Sequence, residues 1–171
     1  MKVEVRRDGT RSRVVTHREV ERAAEACLRA SGRPRAELSV LLCGDRQIHR
    51  LNRVYRHKNR PTDVLAFALA EGPSPELSGE HLGDVVLSLE TATRQAREHG
   101  VRARDEVLHL LAHGVLHLLG WDHRTDAEDR RMRAETERLL GRVRRALGEP
   151  TAPPRRGARG APRRGPGARR P

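Results

Sequence analysis

Three histidines in the second half of the chain have the spacing of a metal site. They lie in the segment His113-Gly-Val-Leu-His117-Leu-Leu-Gly120-Trp-Asp-His123. On an α-helix, positions i and i+4 lie on one face about 6 Å apart along the axis, so the first two imidazoles can bind the same cation. Gly120 can end the helix in a left-handed conformation, which lets the chain fold back and present His123 as a third ligand. Three protein ligands leave a coordination position open, as in catalytic zinc sites.

A fourth histidine, His109, precedes His113 by one turn of the same predicted helix. Its side chain can bind the metal, support a ligand or simply pack against its neighbours. Because the other three histidines already complete the ligand set of a catalytic site, we expect His109 to pack rather than to bind metal.

The same histidine spacing occurs in the metzincin proteases, but one residue differs. In those enzymes a glutamate follows the first histidine and acts as the general base of peptide hydrolysis. Here that position is Gly114, which has no group that transfers a proton. The Met-turn of those proteases is also unsupported, because the only methionine besides Met1 is Met132, in a predicted helix. A metzincin-like metallopeptidase is therefore a minor alternative.

A second segment carries basic groups suited to phosphate. Five of the eight residues from Arg53 to Arg60 are basic or become so on protonation: Arg53, Arg56, His57, Lys58 and Arg60. Guanidinium groups bind phosphate in two-pronged contacts, and Tyr55 can stack on a base. Taken alone, the segment is better interpreted as a basic, solvated turn after a helix. A metal held by three histidines polarises a phosphoryl oxygen and acidifies water, so phosphodiester cleavage would need no dedicated carboxylate base. The nucleophile is either water or, in RNA, the neighbouring 2′-hydroxyl.

The elements that position these residues follow from hydrophobic periodicity and capping signals. Apolar runs and alternation predict strands at about residues 2–6, 38–43, 64–69 and 82–87. Thr16 with Glu19 predicts a capping box at the start of the first helix, and Asp45 is interpreted as the N-cap of the second. Further helices are predicted at about residues 89–99, 104–119 and 126–147. Four strands interspersed with helices indicate helices layered on a mixed sheet.

The chain has 171 residues and a formal net charge of +12, with an uneven distribution. Its length predicts a single domain, which we place at residues 1–148. Residues 149–171 form an Arg/Pro/Gly-rich tail that has no apolar residue larger than alanine, and we expect this tail to be disordered. Its arginines are consistent with a phosphate-binding arm and equally with a solvated segment of biased composition.

Cysteine usage and hydropathy indicate the compartment. Cys27 and Cys43 are too few for a disulfide framework and are expected to pack as small hydrophobic residues. No apolar run approaches the length of a membrane span, and the N-terminus lacks an apolar signal core. We therefore expect a cytoplasmic protein without membrane contact.

Taken together, three segments resemble the YbeY family of bacterial rRNA maturation factors. They are the histidine segment at 113–123, the run Tyr55-Arg-His-Lys-Asn-Arg-Pro-Thr-Asp-Val-Leu-Ala-Phe67, and Leu82-Gly-Asp-Val-Val-Leu-Ser88. The resemblance covers roughly residues 35–140 in order. One departure lies in the strand that usually reads Val-Leu-Ser-Phe-Pro, which is Val64-Leu-Ala-Phe-Ala68 here. The loss of serine and proline is expected to relax that strand edge.

The resemblance implies a zinc-dependent endoribonuclease specific for single-stranded RNA, acting in 16S rRNA 3′-end maturation and ribosome quality control. It implies one Zn²⁺ per chain bound by His113, His117 and His123, and Arg56 as the catalytic group that faces the cleft and binds phosphate or transition-state charge. The implied fold is α+β, with a small mixed, mostly parallel four-stranded sheet surrounded by helices and the metal site at a helix C-terminus.

Several alternatives stay open. The implied partners are single-stranded RNA, the 16S rRNA precursor, the small ribosomal subunit and an Era-type GTPase. A different class of function is a non-catalytic assembly factor, in which zinc braces the fold while the basic surface docks on rRNA. Asp122 either orients a ligand histidine or caps the next turn. Asp84 either lines the cleft or caps the helix after its strand, and we prefer the cap.

Overall fold

A computed structural model of the chain describes residues 1–69 and 80–149. The elements in chain order are β1 Lys2–Arg7, α1 His17–Ala30, β2 Glu37–Cys43, α2 Asp45–Arg56, β3 Val64–Ala68, β4 His81–Ser88, α3 Leu89–His99, α4 Ala103–Leu118 and α5 Asp126–Leu147. Each predicted strand and helix is present, with ends that shift by no more than about two residues. Residues 150–171 of the predicted disordered tail lie outside the described residues, as does the segment 70–79.

The four strands form one sheet in the order β1-β2-β4-β3. Strand β2 pairs in parallel with β1 and with β4, while β3 runs antiparallel to β4 and occupies an edge. The α+β prediction with a mixed, mostly parallel four-stranded sheet is therefore confirmed. The antiparallel edge strand is important for the site. Strand β3 follows the basic segment in the chain, and its position in the sheet brings that segment toward α4.

Helices cover both faces of the sheet, and the larger core lies on the α4 side. Helices α1 and α4 lie on this side, where the core includes Leu38, Val40 and Leu87 of β2 and β4, and α5 packs on α1 and α4. A smaller cluster on the other face joins α2 to the sheet through Ile48 and Val86. Because α4 is buried almost all round, it is held rigidly in the middle of the helical layer.

The structure also shows the state of the two cysteines and the hydropathy of the helices. Cys27 and Cys43 are both free and buried, as expected for small hydrophobic residues. Burial raises the pKa of each thiol to about 12, so neither is a thiolate at neutral pH. Within the described ranges, no helix combines the length and the hydropathy that crossing a bilayer requires.

Two capping predictions are wrong, and both errors concern the same corner of the fold. Gly44, not Asp45, is the N-cap of α2, because a side chain there would collide with the backbone oxygen of Gly9 and the carboxylate of Glu90. Asp45 instead lies in the first turn, where it accepts hydrogen bonds of 2.6 Å from the hydroxyls of Ser88 and Thr91. These two hydrogen bonds connect the first turn of α2 to the start of the next helix, α3.

The second error concerns Asp84. Ser88 caps α3 by accepting a hydrogen bond from the backbone amide of Thr91. Asp84 lies too early to do so, because β4 continues for four more residues and leaves this carboxylate exposed within the strand.

Helix α4 approaches the sheet closely at Gly114. A Cβ built there would lie 2.9 Å from Cγ1 of Val85 and 3.2 Å from Cγ2 of Val64. The position that carries the general base in metzincins therefore faces the packed sheet in this protein. The close contact with the sheet explains why position 114 is a glycine, and it leaves no room for a glutamate.

Replacing Gly114 with alanine is therefore expected to destabilise the protein by about 1–2 kcal/mol, because the overpacking cost exceeds the gain in helix propensity. Gly141 is the matched control, since it also lies within a helix but a Cβ there meets no atom within 4 Å. Gly141→Ala should stabilise the protein by about 0.5–1 kcal/mol. Urea denaturation measures both changes. Equal stabilisation by the two substitutions would refute the close-packing interpretation.

Candidate metal centre

The end of α4 turns the chain back toward its own last turn. Leu119 is the C-cap, and Gly120 follows in the left-handed region with φ of 84°. The backbone amide of Trp121 donates to the carbonyl of Leu116 over 3.0 Å, and that of Gly120 to the carbonyl of His117 over 3.0 Å. These bonds satisfy carbonyls that the helix end leaves open. The predicted role of Gly120 in reversing the chain is confirmed.

This reversal brings the three predicted ligands together. The Nε2 atoms of His113 and His117 lie 3.2 Å apart. The ring of His123 has its centroid 5.7 Å from that of His113 and 5.3 Å from that of His117. One ligand nitrogen from each residue lies within 4.8 Å of the others. The three imidazoles therefore converge on one point, as the sequence predicts.

The donor set fits a divalent cation that prefers imidazole. Two nitrogens bound to tetrahedral zinc at about 2.0–2.1 Å are separated by about 3.4 Å, close to the 3.2 Å between His113 and His117. His123 lies on an exposed loop rather than on the helix, so a shift of about 1 Å closes the longer separations. Three imidazoles suit zinc as well as other late first-row metals.

Electrostatics keep the first two histidines neutral. Burial, followed by the neighbouring His117 and His123, lowers the pKa of His113 to about 4, while Asp63 opposes this shift. Burial and His123 also lower the pKa of His117. Neutral imidazole is the form that binds metal, so both side chains are ready to coordinate at neutral pH.

The backbone of Trp121 acts on the His117 ring from the turn that follows α4. A hydrogen-bonding interaction with this backbone raises the pKa of His117 against the larger effect of burial. Nε2 of His117 faces Nε2 of His113, so these two nitrogens are placed to bind the same cation.

The metal-free protein is expected to lose stability as the pH falls from about 6.5 toward about 4. His113 binds a proton near its ordinary pKa of 6.5 in the unfolded chain but only near 4 in the folded one. In this window the unfolded state holds the extra proton, so the free energy of unfolding decreases as the pH falls. Urea denaturation in chelator at pH 7, 5.5 and 4.5 should show a smaller decrease for His113→Gln. An identical decrease in both proteins would contradict the assignment to His113.

The histidines open into a groove of about 640 Å³ that also receives the basic segment. His57 ends α2 with φ of 55°, which leaves Arg56 as the last helical residue, beside β3. Nη2 of Arg56 donates to the carbonyl of Ala66 over 2.7 Å, and its Cζ lies 5.9 Å from the centroid of Phe67. Arg56, Lys58 and Arg60 line the groove together with His117 and His123.

The other residues that the sequence placed near the site lie in different parts of the structure. His109 is half-buried, and its ring stacks on that of His113 with centroids 6.4 Å apart, outside the three-nitrogen cluster. Tyr55 is 63% exposed and packs edge-on against Phe67. It lines a second groove of about 810 Å³, together with Asp84. Neither Tyr55 nor Asp84 is among the described residues that line the groove beside the histidines.

Asp122 organises the loop that carries the third histidine. Its Oδ1 accepts a hydrogen bond of 2.8 Å from the backbone amide of His123, and its Oδ2 lies 2.5 Å from Nε of Arg124. The cap of α5 is Thr125, which forms a capping box with Glu128, so Asp122 does not cap that helix. Asp122 therefore acts on His123 through the backbone of the loop.

Sequence reasoning missed two residues of the site. Trp121 is 37% exposed and is the aromatic side chain among the described residues that line the groove. Asp63 interacts electrostatically with His113 and accepts a hydrogen bond of 3.0 Å from Nε2 of Gln95. The signal for Trp121 was its place within the histidine segment. For Asp63 it was the Pro-Thr-Asp run at the start of β3.

The family model described as Endoribonuclease YbeY matches residues 6–144. This chain belongs to the YbeY endoribonuclease family. Endoribonuclease YbeY of Geobacter metallireducens is 44% identical over 142 residues, which cover 82% of this chain and 94% of that relative. Endoribonuclease YbeY of a Synechocystis strain is 52% identical over 110 residues, 61% of this chain and 62% of the relative. The match thus spans about three fifths of the Synechocystis protein, while nearly all of the Geobacter YbeY is covered.

The fold is also found in a solved structure. The solution structure of TM1509 from Thermotoga maritima is similar with a TM-score of 0.60, over 93% of this chain and 99% of that one. The two sequences are 23% identical, so this likeness concerns the fold alone. It is consistent with the family assignment and with the α+β architecture of this YbeY-family chain.

Proposed function

We propose that this chain is a zinc-dependent endoribonuclease that cleaves phosphodiester bonds in single-stranded RNA. The observation that carries the proposal is the convergence of three imidazoles beside a groove that Arg56, Lys58 and Arg60 line together with His117 and His123. An open metal site suits hydrolytic chemistry, and the cationic lining suits a polyanion rather than a peptide. Membership of the YbeY endoribonuclease family supports the same reaction.

Each group has a distinct role in this proposal. His113, His117 and His123 hold one Zn²⁺ per chain. When bound there, a zinc ion polarises a phosphoryl oxygen and acidifies water. Arg56 is the proposed catalytic residue, whose guanidinium binds the scissile phosphate and the charge that develops on it.

The form of the groove supports a single strand as substrate. Trp121 presents an exposed indole next to the histidines, and base stacking on an aromatic side chain requires an unpaired, unstacked base. Lys58 and Arg60 lie along the same groove and neutralise further phosphates. The strand therefore runs past the metal site with one base on the indole.

The biological setting is proposed from the family. The substrate is the 16S rRNA precursor, cleaved during 3′-end maturation and in ribosome quality control, in the cytoplasm. The small ribosomal subunit and an Era-type GTPase are the proposed partners. Residues 1–148 act as a single catalytic domain, and described residues of this domain form the groove.

Removal of the metal distinguishes the enzyme from a zinc-braced assembly factor. Protein stripped by a chelator is first shown to be folded by circular dichroism and is then added to precursor small subunits. We expect no 16S 3′-end processing until zinc is restored to one ion per chain. Processing by the folded, metal-free protein at the rate of the zinc-loaded protein would overturn the enzymatic proposal in favour of the assembly factor.

A further inference from the structure

The free edge of strand β3 forms one wall of the groove beside the histidines. Because β3 pairs with β4 alone, at the end of the sheet, its other side has no strand partner within the described ranges. Its residues Val64, Ala66 and Ala68 line the groove together with His117 and His123. Backbone groups of this edge therefore lie beside the proposed metal site.

Hydrogen bonds establish which residues point their backbone toward the groove. The carbonyl of Asp63 accepts from the amide of Ser88, so Asp63 faces β4. In an antiparallel strand the two backbone groups of a residue point to one side, and successive residues alternate. Val64 and Ala66 therefore face the free edge. In agreement with this, the amide of Val64 donates a hydrogen bond of 2.8 Å to Oδ1 of Asp63.

The carbonyl of Ala66 is used at this edge, but its amide is not. Arg56 donates to the carbonyl, as described above. The amide of Ala66 points to the same side, and the hydrogen bonds among residues 1–69 and 80–149 give it no acceptor. A backbone N–H facing a cationic groove, next to a guanidinium anchored on the same residue, is suited to an anionic oxygen.

Ala66 is the central residue of β3, two residues after Val64. The side chain of Val64 lies next to α4 at Gly114, which stands between His113 and His117 in the chain. Ala66 and His117 both line the groove. The free edge at Ala66 and the histidine site therefore belong to one groove.

We propose that the backbone amide of Ala66 donates a hydrogen bond to a non-bridging phosphate oxygen of the RNA strand in the groove. Arg56 and this amide then form one phosphate clamp, because the Ala66 carbonyl fixes the guanidinium beside the amide of the same residue. The occupant is RNA rather than an added peptide strand, since Arg56, Lys58 and Arg60 line the edge. The inference rests on the proposed function and specifies how the groove holds its substrate.

Proline substitution removes this donor without a change in charge. Ala66→Pro deletes the amide while keeping the carbonyl that anchors Arg56, and an edge strand tolerates proline where its N–H points outward. We expect about tenfold weaker binding of a single-stranded RNA oligonucleotide to metal-free protein by fluorescence anisotropy. Ala66→Ser keeps the amide and should bind as the wild type does. Equal affinity of the Ala66→Pro and Ala66→Ser proteins would overturn the inference.

Amide hydrogen exchange in the wild-type protein gives an independent test that needs no substitution. On addition of the oligonucleotide, exchange at the Ala66 amide should slow at least about tenfold. An unchanged rate at saturating RNA would overturn the inference, as would protection by an unstructured peptide but not by RNA. Cleavage is scored separately, with the zinc-loaded protein. Protection without cleavage would contradict the proposed function and leave the clamp, whereas cleavage without protection would contradict the clamp alone.

Discussion

Replacing His117 with alanine is expected to remove both the bound metal and RNA cleavage while leaving the fold intact. The Nε2 of His117 lies 3.2 Å from that of His113, and its ring centroid lies 5.3 Å from that of His123, so it is central to the cluster. Loss of outer-sphere partners alone weakens metal binding by about 10–100-fold, and loss of a ligand should exceed this. Metal content by elemental analysis and cleavage of a single-stranded oligonucleotide are measured on the same samples.

His109→Ala is the matched control for this substitution. His109 lies on the same helix and stacks on His113, but it is not one of the three clustered ligands. The control variant should therefore keep one metal ion per chain and most of its cleavage activity. If His109→Ala loses metal as completely as His117→Ala, the three-histidine ligand set is wrong. Metal retained by His117→Ala would have the same meaning.

Reversing the charge of Arg56 is expected to abolish cleavage without loss of metal. The Arg56→Glu protein places a carboxylate where the phosphate is proposed to bind and also removes the contact with the Ala66 carbonyl. Loss of a preorganised group that stabilises transition-state charge costs about 10²–10³ in rate. The value of kcat/KM for a single-stranded RNA substrate should fall by at least this factor, with metal content unchanged.

Arg53→Glu tests whether the effect belongs to the position rather than to net charge. Arg53 is exposed on the same helix and is not among the described residues that line the groove. The two variants have the same formal charge, so general repulsion of RNA weakens both equally. We expect kcat/KM of the Arg53→Glu protein to stay within about threefold of the wild type in 0.15 M salt. Similar losses in both variants would mean that Arg56 contributes only through long-range electrostatics.

The parts of the site that were predicted correctly depend on local geometry. His113 and His117 share a helix face, and Gly120 adopts the left-handed conformation that the reversal needs. Helix periodicity and the conformational freedom of glycine fix these features within eleven residues. The convergence of His123 on the other two histidines follows from the same short segment, so no long-range contact had to be known.

The contacts that escaped prediction depend on pairing between distant segments. Arg56 can hydrogen-bond the Ala66 carbonyl only because β3 is an edge strand. It also requires the strand register in which the backbone groups of Ala66 point away from β4. Tyr55 and Trp121 line two different grooves, and which aromatic side chain lies beside the histidines depends on how distant segments pack. A single sequence carries no direct record of strand order or register, so these contacts become visible only in the folded chain.

The wrong capping assignments have a related cause. Asp45 and Asp84 are residue types that often cap helices, and local propensity favoured them. In the folded chain, the close approach of Gly9 and Glu90 requires glycine at the cap of α2. Continuation of β4 through Ser88 moves the next cap four residues beyond Asp84. Tertiary packing therefore overrides a preference worth about 1 kcal/mol.

Zinc titration of the metal-free protein, with RNA cleavage followed at each step, tests the central claim most directly. Bound zinc is quantified by elemental analysis, and cleavage of a single-stranded oligonucleotide is measured on the same aliquots, with the His117→Ala protein in parallel. The proposed site predicts cleavage that rises in proportion to bound zinc and stops rising at one ion per chain, with none in the variant. Cleavage that is independent of bound zinc, or equal in the His117→Ala protein, would contradict it.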